Sequence, residues 1–488
     1  MIRGAGAIKR VSMRCITRRS FLAGSASFTL GCWGGFGRIF AAPVGWKPSR
    51  KPNLVFGVIS DTHLMSSLGK KETPVWNRGQ KADWKESPAK YLISALKYFR
   101  ERNVDAVMHG GDFADTGLMS EMMWHAEAWR RVFPGDRGLD GRKVEKLFVT
   151  GNHDCKGMPC ARKCYVDNAE YARRMFNTDI QRNWERVWGE KYEPAWHKEV
   201  KGYHFFGRHF GEDSMKMASL VKNGIQKFNL EEGTKPYFLL SHTGSCGEEN
   251  AAFRQALAGL HNAVGFYGHW HSSFANWNTI KFWIGTTTPE LQIPLCSPWN
   301  AVDQSRNCQY ITKAKLGNWQ AGGAFRQGFV VNVYDEMVVF ERHEFGTHGR
   351  IGEDWIMPLG QFRPHPLSLG RLRTKIGVPA FADGAHLEFV RAGDAAFRIL
   401  VPLANANPES RVFAYELDVA GDAGGRNLVK ATIASGCNVA IGHEPNGGVT
   451  SIAVSKSELP PGKNLTFKVY PLTSLGTRGR PLTEQVKA

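Results

Sequence analysis

The chain has 488 residues, a formal net charge of +18 and 42% hydrophobic residues. That length suits two folded domains, and that apolar share is ordinary for a globular protein. No run is long and apolar enough for a confident membrane span. No Lys/Arg-rich run or nucleic-acid motif accompanies the positive charge, which argues against a nucleic-acid partner. Phosphate-bearing partners and a generally basic surface both remain consistent with it.

The N-terminus reads as a targeting segment. Residues 1–46 hold seven Lys/Arg and no acid, so the remainder carries +11. Thr17-Arg18-Arg19-Ser20-Phe21-Leu22 precedes a Gly/Ala/Ser-rich apolar run to Phe36. A charged region followed by an apolar one is the order of an export signal. The paired arginines resemble the twin-arginine type, which carries proteins already folded. The expected location is periplasmic or secreted, with residues 1–42 as the signal and cleavage near Ala42. Leu30-Gly31-Cys32 offers a competing lipoprotein reading, in which Thr29 fits poorly.

Strands and helices then alternate. Asn53–Ser60 reads as a buried strand ending at Asp61-Thr62-His63. Tyr91, Leu92, Ala95, Leu96 and Phe99 make one apolar stripe at helical spacing, after a Ser87-Pro88 helix start. Val104–Met108 is a strand ending at Gly110-Gly111-Asp112, and Ser120–Phe133 a helix. Leu147–Thr150 is a strand running into Gly151-Asn152-His153-Asp154. Asp167–Phe176 reads as helical, and residues 182–235 as short strand-like runs, such as Gly202–Gly207, with a capping loop. The pattern returns with Tyr237–Ser241 before His242, a helix over Asn250–Leu260, and Val264–Tyr267 before Gly268-His269-Trp270-His271. Phe282–Thr288, Gly328–Tyr334 and Val338–Glu341 are later strands, the last two a hairpin. Residues 296–327, rich in Gly, Trp and Lys, read as a surface or substrate loop. Strand–helix alternation argues for an α/β fold with parallel strands.

Seven cysteines follow the signal: Cys155, Cys160, Cys164, Cys246, Cys296, Cys308 and Cys437. An odd number leaves at least one outside any intramolecular pairing. The spacing of Cys155, Cys160 and Cys164 fits no standard zinc signature. Disulfides and reduced thiols both remain open.

The strand-end residues share one chemistry. Asp61, His63, Asp112, Asn152, His153, His242, His269 and His271 supply imidazole, carboxylate and amide oxygen donors. Two sets sharing one carboxylate can be drawn from them, suited to zinc, iron or manganese. Two cations about 3.5–4 Å apart clamp the attacking and leaving oxygens of an in-line displacement.

Asp-x-His, Gly-Asp, Gly-Asn-His-Asp, His and Gly-His-x-His, in that order and each after a predicted strand, resemble the calcineurin-like metallophosphoesterases. The likeness spans about residues 50–345. It implies a four-layer α-β-β-α sandwich over 50–360 and two divalent or trivalent cations. One cation would take Asp61, His63 and His271, the other Asn152, His242 and His269, with Asp112 bridging. His153 would face the phosphate as charge stabiliser or proton donor, and Asp154 would orient it. The implied reaction is hydrolysis of a phosphate mono- or diester by metal-bound hydroxide. His63 and Asp115 depart from the purple acid phosphatases, and His153 from the lipid A precursor pyrophosphatases. The pattern matches the cyclic-nucleotide phosphodiesterase type, which relatives with other substrates share. Trp270 is expected to pack its loop, and His109, His125 and His209 to be packing or surface residues.

From about Pro364 the composition changes to short strand-like runs separated by turns such as Asp383-Gly384, Gly424-Gly425 and Asn446-Gly447-Gly448. His386–Val390, Ala396–Val401, Val412–Val419, Ser451–Ser455 and Leu465–Tyr470 suit an all-β sandwich over 365–488. Leu459-Pro460-Pro461-Gly462 before the last of these resembles fibronectin type III domains. Two functions therefore stand: an exported two-metal phosphoesterase, and a non-catalytic envelope-binding protein on the same scaffold. Substrate and oligomeric state are not legible.

Overall fold

The computed structural model describes residues 50–64, 89–114, 119–155, 180–233, 235–243, 251–269, 273–276, 279–282, 289–292, 296–300, 315–316, 324–335, 337–359, 369–405 and 412–487. The expected signal, the Asp167–Phe176 helix, Trp270, His271, Asp115 and the Ser87-Pro88 start lie outside them. So do Cys160, Cys164, Cys246 and Cys308. Cys155 is a free thiol, and Cys437 is buried with its Sγ donating to Asn438 Oδ1 at 3.3 Å.

The first strand, β1 (Leu54–Ile59), shows how the layers arise. Leu54, Phe56 and Val58 enter a core between two sheets, while Val55 and Ile59 enter a second core beneath helices. A period of two with both faces apolar is what a doubly buried strand requires. The chain continues through α1 (Lys90–Glu101), β2 (Ala106–His109), α2 (Met119–Val132), β3 (Glu145–Phe148), α3 (Ile180–Trp188), β4 (Ala195–Val200) and β5 (Tyr203–Arg208). Next come α4 (Ser214–Phe228), β6 (Tyr237–Ser241), α5 (Ala251–Ala256), β7 (Ala263–Tyr267), β8 (Ile280–Phe282), β9 (Pro289–Gln292), β10 (Cys296–Asn300) and β11 (Lys315–Leu316). β12 (Ala324–Val333), β13 (Met337–Glu344), β14 (Gly349–Arg350) and β15 (Trp355–Pro358) complete this part.

One sheet has the order β14-β13-β12-β1-β2-β3, with β10 also on β12 and β15 also on β13. The other runs β4-β5-β6-β7-β9-β8. β1, β2 and β3 are mutually parallel, as are β5, β6, β7 and β9. Leu96, Phe99, Trp129 and Trp184 of α1, α2 and α3 cover the first sheet's outer face. Met217, Val221 and Phe253 of α4 and α5 cover the second's. The layers are therefore α-β-β-α, as the family likeness implied. Parallel strands place their C-terminal loops along one rim, where open α/β sheets carry their sites.

Residues 182–235 differ from the sequence reading. The strand-like run at Gly202–Gly207 is there as β5, but the stretch also holds β4, most of α3 and the fifteen-residue α4 where a capping loop was expected. Local signals for α4 existed. Asp213 caps it by accepting from Met215 N at 2.9 Å, and Asn229 ends it at φ 52°. The 296–327 segment also differs: β10 pairs with β12 and β11 with a C-terminal strand. Backbone pairing decides both, and a Gly/Trp/Lys-rich stretch has no hydrophobic period to announce it.

After α6 (Leu369–Ile376) the chain is all-β: β16 (Ala380–Phe381), β17 (Glu388–Arg391), β18 (Ala396–Val401), β19 (Ala404–Asn405), β20 (Ala414–Gly421), β21 (Leu428–Ile433), β22 (Thr450–Ser455), β23 (Asn464–Leu472) and β24 (Leu482–Lys487). Sheet β17-β18-β22 faces sheet β11-β21-β20-β23-β24. Ile399, Val401, Leu417, Ile452, Phe467 and Val469 fill the core between them. No helix among the described residues is long and apolar enough to cross a membrane.

Candidate metal centre

Five loops carry the residues singled out in the sequence, and the structure brings them together. They follow β1 (Asp61, His63), β2 (Asp112), β3 (Asn152, His153, Asp154), β6 (His242) and β7 (His269). Every one of these positions is described except His271.

The loops are tied to each other through their backbones. Asp61 N donates to Gly111 O at 2.9 Å, His63 N to Asp112 O at 3.0 Å, and Gly268 N to His242 O at 2.9 Å. The Asp61 carboxylate accepts from His269 N at 3.0 and 3.1 Å and from the Ser60 hydroxyl. Asp61, His63, Asp112 and His269 all have left-handed φ, between 41° and 74°. Such conformations are sparse for non-glycine residues and persist where surrounding bonds over-determine them. Two glycines allow the closest approaches. A Cβ on Gly151 would stand 2.0 Å from Asp112 Oδ1, and one on Gly268 would stand 2.5 Å from Asp61 Oδ2.

Asp112 sits at the centre and is 1% exposed. Its Oδ1 accepts from His153 N at 2.8 Å. Its Oδ2 has no well-formed hydrogen bond, although His242 Nε2 lies 3.2 Å away and His63 Nε2 3.6 Å away. A buried carboxylate oxygen left so is costly unless a cation answers it. Burial pushes the Asp112 carboxyl up, but His242, His63 and His153 outweigh it and hold it well below the usual carboxylate range. Asp154 is fully buried and accepts from Gly151 N at 2.8 Å and Ala114 N at 2.9 Å. It thereby pins the turn bearing Asn152 and His153 to the β2 loop. Burial and the Asp112 charge push its carboxyl up to about 7.

The donor directions point to a cation. His242 Nδ1 lies 2.7 Å from Gly110 O, which can only accept, so Nδ1 carries the proton and Nε2 turns a lone pair inward. That lone pair meets Asn152 Oδ1 at 2.8 Å, and Asn152 Oδ1 also meets His269 Nδ1 at 2.8 Å. Asp112 Oδ2 completes the group. A neutral set of this kind is acceptor against acceptor, and a metal ion or a proton must sit among them. Burial lowers the His242 imidazolium, yet the Asp112 charge wins and raises it to about 9.

Two donor groups result. Asp112, His242 and His269 offer ligand atoms within 4.8 Å of one another, as do His63, Asp112 and His153. Asp112 is common to both, as a bridging carboxylate must be. His153 stands in the second group, its ring edge-on to His63 at 4.6 Å. The residues therefore fit a metal centre built on imidazole, carboxylate and amide oxygen.

Several supporting residues escaped the sequence reading. His109 packs as expected, stacked on Phe113 at 3.9 Å, but it also accepts from Gly111 N and meets the Thr62 hydroxyl at 3.2 Å. His209 is buried and accepts from Thr150 N at 3.0 Å, supporting the approach to Gly151. His125 is a core residue with no hydrogen-bond partner for either ring nitrogen among the described residues. Thr150 and His209 lie too far apart in sequence for any local signal. Ser60 was legible only as the residue before Asp61.

Fold and donor set together describe an α-β-β-α domain with clustered metal-capable side chains at one rim. Residues 54–273 match the family model for calcineurin-like phosphoesterases. No curated protein matches. Among solved structures, a conserved protein described as a predicted phosphoesterase from Streptococcus pneumoniae is 14% identical. That likeness covers 62% of this chain and 97% of that one, at a TM-score of 0.25. Vps29 from Entamoeba histolytica, solved with zinc, is 8% identical over 63% of this chain and all of that one, at 0.26. Likenesses this weak add nothing to the site.

Proposed function

We propose that the protein is an exported two-metal phosphoesterase that hydrolyses a phosphate mono- or diester. The observation that carries it is the convergence of Asp112 Oδ2, Asn152 Oδ1 and two imidazole nitrogens in one site, with Asp112 and His242 buried and Asn152 and His269 half-buried. Asp61, His63, Asp112, Asn152, His242, His269 and His271 would hold the two ions, zinc, iron or manganese. When bound, such ions act as Lewis acids on the phosphoryl group.

The chain's own residues do the rest. Asp112 fixes the spacing of the two donor groups because one carboxylate serves both. Gly110 O sets the His242 tautomer, so its Nε2 is ready without rearrangement. Asp154 holds the Gly151–Asn152–His153 turn through two backbone N–H groups. His153 presents its imidazole beside the donor groups, where it balances phosphoryl charge or gives a proton to the leaving oxygen. The paired Arg18 and Arg19 support export, and the Leu459–Gly462 turn supports a fibronectin type III-like C-terminal sandwich.

Release of nitrophenol from a nitrophenyl phosphate, with and without chelator, tests this against the non-catalytic envelope-binding reading. Asp112→Ala should lose both metal and turnover. An Asp112→Ala protein with full activity and no metal would falsify the assignment.

A further inference from the structure

A buried side chain links the C-terminal sandwich to the segment that follows the metal-centre loop. Gln327 is fully buried on β12, two residues beyond the Val58–Phe329 pair and so at the rim where Asp61 emerges. Its Oε1 accepts from Phe274 N at 2.8 Å and from the Ser273 hydroxyl at 3.2 Å. Its Nε2 donates to the sandwich, to Asn438 O at 2.8 Å. Both the oxygen and the nitrogen of this amide are thus engaged, and all these partners are buried. Ser273 stands four residues after His269.

The same short segment is gripped from its other side. Arg342, 2% exposed, donates from Nη1 to Phe274 O at 3.1 Å and from Nε to Glu353 O at 3.0 Å. Ala275 then enters the hydrophobic core of the sandwich. The chain leaving His269 therefore has both peptide groups of Phe274 fixed, and its next residue is anchored in the second domain. A buried amide that satisfies donors on two domains specifies one relative position and is costly to leave half-made.

We propose that Gln327 is a positioning residue through which the sandwich holds the exit of the His269 loop in its metal-binding geometry. The sandwich is on this account part of the metal centre's support rather than a separate binding module. The inference rests on the reading of His269 as a ligand. Partners that orient a metal ligand from behind alter metal affinity on the order of 10–100-fold.

The test is competition for Zn2+ between the full-length protein and a chelator, below each variant's melting temperature. Gln327→Glu keeps the acceptor for Ser273 and Phe274 but sets an oxygen against Asn438 O. It should bind Zn2+ at least 10-fold more weakly than wild type. Thr347→Val cuts another link across the same domain boundary, the 3.1 Å bond from Ala440 N to Thr347 Oγ1, together with the bond that hydroxyl donates to Glu344. It should lower the melting temperature and leave Zn2+ affinity unchanged. Should Gln327→Glu fail to fold, Ser273→Ala removes the bond to Oε1 and the one its hydroxyl accepts from Ala275 N, and should weaken Zn2+ on the order of 5-fold. Unchanged affinity in the Gln327 or Ser273 variant overturns the proposal, as does equal weakening in Thr347→Val. A wild-type protein that binds no Zn2+ at all refutes instead the metal reading on which the proposal stands.

Discussion

Gly268→Ala tests whether the loops must approach as closely as they do. Gly268 precedes His269, and its φ lies outside the left-handed region, so alanine adds no backbone strain. The whole effect is steric. The new Cβ would lie 2.2 Å from Ser60 Oγ and 2.5 Å from Asp61 Oδ2. To reach ordinary contact at 3.4 Å, the Asp61 carboxylate must retreat by about 0.9 Å. The Ser60 hydroxyl must also turn away and release its bond to that carboxylate. A displacement near 1 Å at a reacting site costs on the order of 10²-fold in rate. That is about 2.7 kcal/mol of transition-state stabilisation. Gly57→Ala is the control. Its Cβ would lie 2.5 Å from the Phe99 ring of α1, a comparable clash in the core rather than at the metal centre. It should cost about 1–3 kcal/mol of stability through overpacking and leave turnover per folded molecule intact. The assay is kcat/KM on a nitrophenyl phosphate, beside metal content and melting temperature. Wild-type kcat/KM in Gly268→Ala would refute the argument, as would the same loss of turnover in Gly57→Ala.

Three other expectations follow. His153→Asn should keep its metals and lose more activity on alkyl than on nitrophenyl esters, because a poor leaving group needs the proton most. Equal loss on both would point to charge stabilisation, and loss of metal would make His153 a ligand or a prop. Changing Arg18 and Arg19 together to Lys should keep the protein out of the periplasm, and normal periplasmic amounts of the double variant would contradict the twin-arginine assignment. His125 is buried, which pushes its pKa down to about 3. The unfolded chain takes up that proton first as pH falls, so this stability is complete above about 6.5 and is lost towards 3. By pH 5 about 2 kcal/mol of it has been lost. Urea unfolding of His125→Leu should therefore change less than wild type between pH 8 and pH 5, and an identical change in both would show that His125 contributes nothing to acid sensitivity.

Much of the molecule is local and therefore readable in the chain. β1 announces itself because alternate residues serve two different cores, and α1 because its apolar stripe faces the first sheet. The hairpin β12–β13 is marked by Asp335-Glu336 between two apolar runs. The chemistry was legible for the same reason. A ligand at a strand tip leaves a short motif such as Asp61-Thr62-His63 or Gly151-Asn152-His153-Asp154. α4 hid within a polar stretch although its capping residues stood in view. β10 and β11 had no period at all, because their pairing partners supply their order.

What only the tertiary structure decides is the set of relations between distant residues. Gly110 O selects the His242 tautomer across 132 positions. His209 braces Thr150 across 59. Gln327 joins Phe274 to Asn438, 53 positions one way and 111 the other. None of these residue types is unusual where it stands, and each acquires its meaning only when folding buries it beside a partner. The sequence by itself determines which donors the metal centre can use and at which strand ends they stand. Burial and long-range hydrogen bonding decide how those donors are aimed, because a lone pair has direction only once its neighbours are in place.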